Sequence, residues 1–436
     1  MMDALLDLAL LPVQDLPASA RNMARLSLFD WLVCGLAGVD EPVSVILRNH
    51  VLSEGGVAQA TLFGGGKVPA RAAALANGAV SHALDYDDTH FAHIGHMSVG
   101  ILPAALAVAE KTGASTAALT DAFLVGAEAA IRIGMTLGPG HYNRGFHQTA
   151  TAGSFGATIA AGRLYGLRRG QMRAALGLCA TRASGLKSQF GTMGKPFNAG
   201  IAAGNGVECA SLAGAGMTSA DDGIWGAQGF VATHADAPIV AGVWDNPPAV
   251  FLFDDIKYKL HACCHGTHAM IEALLLIRNS AGISADQVEG LHLQTSPRWL
   301  SVCDIKQPRT GLEVKFSYAW LAGMVLASIP TARDDTYSDA LAADPALARF
   351  ARRVTVQGDA SLSDMQTKGS LTLTDGRKLP FSHDLAVRLP KDMLATSLQA
   401  KAKGLLGAGR AGRIWQAVEG RGAGSAADLA MVMGQG

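Results

Sequence analysis

Over the first 255 residues the apolar positions recur at helical spacing and are filled mostly by small side chains. The stretch "ILPAALAVAEKTG" (101–113) has a proline near its start and a glycine just past its end, the asymmetry expected of a helix. "ATAGSFGATIAAGRLYGL" (150–167) and "AGIAAGNGVECASLAGAG" (199–216) are dominated by Ala and Gly. Glycine costs a helix roughly 1 kcal/mol per residue relative to alanine, so helices of this composition need compensation from burial. Their small side chains let helix axes approach closely. Both segments are therefore predicted to lie at the centre of a tight helical bundle.

After about residue 255 the period changes. "QVEGLHLQTS" (287–296), "RRVTVQGD" (352–359) and "SLTLTDGRKLPFS" (370–382) alternate apolar and polar residues, the mark of half-buried strands. The last contains Asp375-Gly376 between two extended runs, a hairpin signal. "THAMIEALLLIRNSAG" (267–282) and "FSYAWLAGMVLASI" (316–329) read as helices between them. The tail from 391 turns helical again. The expected fold class is mainly α with a smaller α+β domain: a helical domain over 1–255 and 391–436, and an α/β domain over 256–390. A length of 436 residues fits two cores better than one.

Composition narrows the function. Lys plus Arg and Asp plus Glu number 36 each and no basic tract occurs, which argues against nucleic acid as a partner. Hydrophobic residues reach 49%, yet there is no uninterrupted apolar run of about 18 residues, so a membrane span is not expected. The opening "MMDALLDLALLPVQDLP" carries Asp3 and Asp7 and lacks a basic leader, so it reads as a helix rather than a signal peptide. Six scattered cysteines form no disulfide framework, and a cytoplasmic location is expected.

Titratable groups concentrate in "HALDYDDTHFAHIGHMSVG" (82–100), which holds Asp85, Asp87, Asp88, Thr89, His82, His90, His93 and His96. A metal site, an acid/base site and a solvated polar loop compete as explanations. The spacing His90-x2-His93-x2-His96 and the run "HACCHGTH" (261–268) offer zinc-type ligands, but neither has a standard metal-site spacing, and no metal is expected. Carboxylates beside imidazoles suit general acid/base work, whereas Asp87 or Asp88 could equally open a helix or turn. His147 precedes a small-residue helix, Lys195 follows a glycine-rich turn, and Lys259 lies near the domain junction. Two such lysines suit a substrate with two carboxylates; a solvated lysine is the ordinary alternative. No phosphate loop or nucleophile elbow occurs in the sequence and no G-x-G-x-x-G follows a strand, so no cofactor is expected.

The segments "ALDYDDTH…H", "RGFHQTATAGSFGA", "FGTMGKPFNAGIAA", "YKLHACCHGTHAMIEAL" and "TGLEVKFSYAW" occur in an order that resembles the MmgE/PrpD family. That family includes 2-methylcitrate dehydratase, cis-aconitate decarboxylase and iminodisuccinate epimerase. The resemblance covers roughly residues 15 to 330. It implies a large helical domain formed by both chain ends, an α/β lid domain, a homodimer and a cofactor-free site between the domains. By motif match it implies catalytic roles for Asp85, Thr89, His96 and His147, and substrate binding by Lys195 and Lys259. The spacing to His96 is one residue longer than in the decarboxylase. Trp320 stands where relatives often carry tyrosine; it offers substrate an N–H donor but no titratable hydroxyl, and Tyr318 lies two residues away. The implied activity is a hydro-lyase of a small di- or tricarboxylate. An epimerase, a decarboxylase and a non-catalytic carboxylate-binding relative are the alternatives.

Overall fold

The structure is a computed structural model and describes residues 1–245, 249–419 and 424–434. It is mainly α-helical with two small sheets, and it divides into two compact units, Met1–Tyr258 with Leu406–Gly436 and Lys259–Leu405. The helix Lys391–Leu406, expected to rejoin the bundle, falls in the second unit up to Leu405. Among the described residues no helix is long and apolar enough to cross a membrane.

The first unit runs α1 (Met2–Ala9), α2 (Ala18–Ala37), α3 (Pro42–Glu54), a two-residue hairpin pair β1 (Ala60–Thr61) and β2 (Lys67–Val68), then α4 (Ala70–Ser81), α5 (Ser98–Thr112), α6 (Thr116–Arg144), α7 (Gln148–Leu164), α8 (Arg169–Ala180) and α9 (Gly194–Gly214). Helices α4, α5, α7 and α9 pack against one another, and α7 is buried continuously from Gln148 to Gly162. Small residues make this possible. A Cβ on Gly200 would lie 2.3 Å from the Leu75 carbonyl oxygen, and one on Gly78 only 2.8 Å from the Gly200 Cα. The expectation that the Ala/Gly helices are central holds, with shifted ends.

Helix α5 starts three residues before the expected "ILPAAL", because the carboxylate of Asp88 receives both the backbone N–H (3.1 Å) and the hydroxyl (2.6 Å) of Ser98. Asp88 thus satisfies donors that a helix start leaves unpaired. Gly113 closes α5 in the left-handed conformation at φ 70°. Helix α9 starts five residues earlier than expected, and this brings Lys195 into its first turn.

In the second unit a four-stranded sheet has the order β4-β3-β5-β6, with β3 (Val288–Thr295), β4 (Val354–Gly358), β5 (Gln366–Leu373) and β6 (Lys378–Asp384). β3 pairs parallel with β4 and antiparallel with β5. The β5–β6 hairpin turns at Asp375-Gly376, where Gly376 has φ 83° and the Asp375 carboxylate accepts the Arg377 N–H at 3.0 Å. Val288, Leu291, Leu293 and Thr295 are the buried positions of β3. The helix His268–Ala281 packs on β5 and β6, and Gly282 ends it at φ 64°.

Gly200→Ala is expected to lower stability by about 1–3 kcal/mol, because the methyl meets rigid backbone rather than a movable side chain. Gly170→Ala in α8, where a Cβ would meet nothing within 4 Å, should be neutral or slightly stabilising. Urea unfolding midpoints of the two variants check the contrast.

Candidate active site

Four helix ends meet in the first unit. His82 caps the C-terminus of α4, His96 lies two residues before α5, His147 caps the N-terminus of α7, and Lys195 sits in the first turn of α9. The segment between α4 and α5 supplies the carboxylates. Its chain reverses sharply: Asp85 and Ile94 have positive φ (52° and 57°), and His90 and Gly95 pair as an antiparallel bridge. Positive φ at a non-glycine residue is strained, and such strain clusters at functional sites.

Asp87 is the hub. Its side chain is fully buried between two imidazoles, with His82 Nδ1 2.8 Å from Oδ1 and His96 Nδ1 2.7 Å from Oδ2. The His82 contact is a well-aligned hydrogen bond, whereas the His96 contact is off the hydrogen-bond direction and acts as a charge contact. Burial alone would raise the Asp87 carboxyl, but His82 and His96 outweigh it and hold Asp87 well below the usual carboxylate range. Burial likewise pushes His82 down to about 4, against the pull of Asp87. A neutral His82 beside an ionised Asp87 must carry its proton on Nδ1, which leaves Nε2 as an acceptor.

On its other side, His96 Nε2 lies 3.4 Å from Asp85 Oδ1, and Lys195 Nζ lies 2.7 Å from the same oxygen. The His96 backbone N–H donates to the Thr149 hydroxyl at 3.0 Å, which ties the segment to α7. The Asn198 amide donates to the Leu186 carbonyl and to His147 Nδ1, each at 3.1 Å. The first bond identifies the amide nitrogen, so His147 Nδ1 is an acceptor and its proton sits on Nε2. Burial, followed by the Lys195 charge, holds His147 well below its ordinary value, so it is neutral. The Phe190 ring meets His147 edge-on at 5.0 Å and lies 5.6 Å from Lys195 Nζ.

The structure thus gathers Asp85, His96, His147 and Lys195. Thr89 is half-buried, and its backbone makes two 2.8 Å hydrogen bonds with Lys257. Lys259 is buried at the start of the second unit. Trp320 is buried there too, but its indole N–H donates to the Leu341 carbonyl at 3.3 Å, so the expected donation to substrate is not what this ring does. Tyr318 is also committed, donating its hydroxyl to the Gly266 carbonyl at 2.8 Å.

His90 and His93, the other two members of the three-residue spacing, are both buried. His90 Nε2 faces the Leu252 carbonyl at 3.0 Å and His93 Nδ1 the Ala130 carbonyl at 3.1 Å, so His90, His93 and His96 do not converge. In "HACCHGTH", His261 is held between Glu272 (3.0 Å) and Thr331 (2.8 Å), and burial pushes the Cys263 thiol up to about 12. Sequence reasoning missed Asp87 as the hub and gave His82 no role. One signal was available, the five-residue interval from His82 to Asp87 across a helix end.

Among the described residues, only His82, Asp85, Asp87 and His96 group with metal-ligand spacing, one ligand atom each within 4.8 Å of the others. Their chemistry fits a cation poorly. Both Nδ1 atoms already face Asp87, and the Lys195 ammonium occupies Asp85. The arrangement is a proton-handling network beside a cation that suits a carboxylate.

The chain matches the MmgE/PrpD N-terminal domain over residues 8–240 and the MmgE/PrpD C-terminal domain over residues 261–397. It belongs to the MmgE/PrpD family. Cis-aconitate decarboxylase of Aspergillus terreus is 27% identical over 348 residues, 72% of this chain and 69% of that protein. Cis-aconitate decarboxylase-like protein oryM of Aspergillus oryzae is 30% identical over 60% of this chain and 58% of its own length. The human cis-aconitate decarboxylase is 28% identical over 49% of this chain and 45% of its own.

The buried histidines set an acid limit on stability. His82 titrates at about 4 and His93 at about 3 in the fold, against an ordinary 6.5. As pH falls below 6.5 the unfolded chain takes up these protons first, so their contribution is complete above about 6.5 and drains toward pH 4. Asp88 runs the opposite way: raised by burial from 3.8 to about 7, it adds stability at low pH that is lost as pH rises through 7. With His147 lowered as well, the histidines win. Melting temperature should fall steadily from pH 6.5 to 4.5; a flat profile would show that these imidazoles are charged in the fold. His90→Gln and His93→Gln should each cost about 1–3 kcal/mol of stability, visible in the same melts.

Proposed function

We propose that the protein is a cofactor-independent lyase that acts on a small di- or tricarboxylate by acid/base chemistry at the carbon alpha to a carboxylate. The observation that carries this reading is the shared contact on Asp85 Oδ1, where Lys195 Nζ (2.7 Å) and His96 Nε2 (3.4 Å) meet. It puts a carboxylate-binding cation next to an imidazole whose tautomer Asp87 fixes from behind. A substrate carboxylate would compete with Asp85 for Lys195, and the N-terminus of α9 favours an anion at the same place.

In the leading scheme the substrate loses water. His96 Nε2 takes the proton from the alpha carbon while Nδ1–H stays on Asp87. Lys195 stabilises the charge that builds on the carboxylate. His147, neutral, holds the departing hydroxyl through its Nε2–H, and the proton that His96 has taken passes to that hydroxyl, so a C–H and a C–O bond break, a C=C bond forms and water leaves. Acid/base steps of this kind contribute roughly 10²–10⁴-fold each, so charge stabilisation by the lysine must supply much of the remainder. By motif match, Lys259 would bind a second carboxylate, and Asp85 with Thr89 would orient His96 or the substrate.

Decarboxylation is the second reading, favoured by the names of the relatives. There a C–C bond breaks, carbon dioxide leaves and an imidazolium protonates the carbanion. Incubation with 2-methylcitrate, citrate and cis-aconitate separates the two. Elimination yields an unsaturated acid with no carbon dioxide, whereas decarboxylation releases one carbon dioxide per turnover. No turnover of any of these acids would overturn the lyase reading.

His96→Gln should nearly abolish turnover in a folded protein. Lys195→Ala should lower kcat/KM by an amount equivalent to about 2–4 kcal/mol, the scale of a lost charged hydrogen bond to a developing charge. Native kinetics in Lys195→Ala would make it an ordinary helix-end lysine. Activity should survive exhaustive chelation; loss restored by added metal would contradict the metal-free scheme.

A further inference from the structure

The scheme above leaves one buried imidazole at the site without a role. His82 is 1% exposed, its ring centroid is 4.5 Å from that of His96 and 6.3 Å from that of His147, and its Nε2 is buried without a hydrogen-bond partner. Its Nδ1 is bound to the oxygen of Asp87 that His96 does not use. A buried polar nitrogen left unpaired destabilises the fold, so its presence at a helix end beside the reacting groups calls for a reason.

We propose that His82 is a positioning residue for His96: by donating its Nδ1–H to one oxygen of Asp87 it divides that carboxylate between two imidazoles, and so sets how strongly Asp87 stabilises the protonated form of His96. A hydrogen bond donated to a carboxylate spreads its charge and weakens its field at a second neighbour. In a buried site that field is poorly screened, so the share His82 takes is felt at His96. The groups facing the pair from the surrounding elements are Asp85, Asp88, His93, His147 and Lys195. The His82 hydrogen bond on Oδ1 and the close His96 ring beside Oδ2 together favour the ionised form of Asp87. The inference rests on the reading of His96 as the proton-transfer group.

The test is nuclear magnetic resonance titration of the histidine side chains, with His96 assigned by comparison with His96→Gln. In the wild-type protein the ¹⁵N shifts of His82 should report a neutral ring with its proton on Nδ1. His82→Leu removes the donor and leaves the whole Asp87 charge to His96. The proton affinity of His96 should then rise about tenfold, a shift of about one pH unit, and the His96 limb of the kcat/KM profile should move the same way. His82→Asn places an amide N–H near the lost Nδ1–H and should return the titration close to wild type. A His96 titration that is unchanged or lower in folded His82→Leu overturns the proposal, as does His82→Asn that behaves like His82→Leu. If His82→Leu does not fold, the wild-type tautomer decides: a proton on His82 Nε2 is incompatible with the proposal. The titration needs no substrate. A protein that shows the shift but turns over no carboxylate would therefore sink the functional reading and leave the role of His82 intact.

Discussion

The close approach of α4, α5, α7 and α9 is the constraint from which the site follows. Each of these helices delivers a functional group from one of its ends, and those ends meet only because the helices touch backbone to backbone. The clearance at Gly78 and Gly200, between α4 and α9, and at Gly206, between α9 and α7, leaves less room than a methyl group needs. Larger residues would separate the axes, and the contacts of 2.7 to 3.4 Å around Asp85 and Asp87 depend on that separation. The high alanine and glycine content, unfavourable for helices taken singly, is what places the chemistry.

The same packing determines the electrostatics. The helix ends meet in a region where His82, His93, Asp87 and Asp88 are all buried. Burial disfavours charge, so most imidazoles there stay neutral and act as fixed donors or acceptors rather than cations. Asp87 escapes neutralisation because two imidazoles face it, whereas Asp88 is raised to about 7 although Ser98 donates twice to it. Adjacent carboxylates in one turn therefore have different duties. Asp88 starts a helix, and Asp87 orients two rings.

Membership of the MmgE/PrpD family is consistent with a site built from imidazoles, carboxylates and a lysine. Chemistry alpha to a carboxylate needs a positioned base, a proton donor and a cation for the developing charge, and the first unit holds groups suited to each. The cis-aconitate decarboxylases of Aspergillus that the chain resembles are 27–30% identical to it. Trp320, buried in the second unit, donates its indole N–H to the Leu341 carbonyl.

Periodicity in the sequence was enough for the helical half, the period-two strands, the Asp375-Gly376 hairpin and the left-handed glycine ends at Gly113 and Gly282. These are local properties, governed by side-chain size, branching and the freedom of glycine. Motif resemblance picked His96, His147 and Lys195 from many candidates, and these three do come together. Sequence could not separate Asp87 from Asp88, because their difference lies in which partner each meets across the fold: two imidazoles for one, a serine ten residues away for the other. Nor could it show that His90 and His93 each commit one ring nitrogen to a distant carbonyl, at Leu252 and Ala130, while His82 joins the site. A side chain's protonation and duty depend on burial and on neighbours remote in the chain, and only the packed helices bring those neighbours within reach.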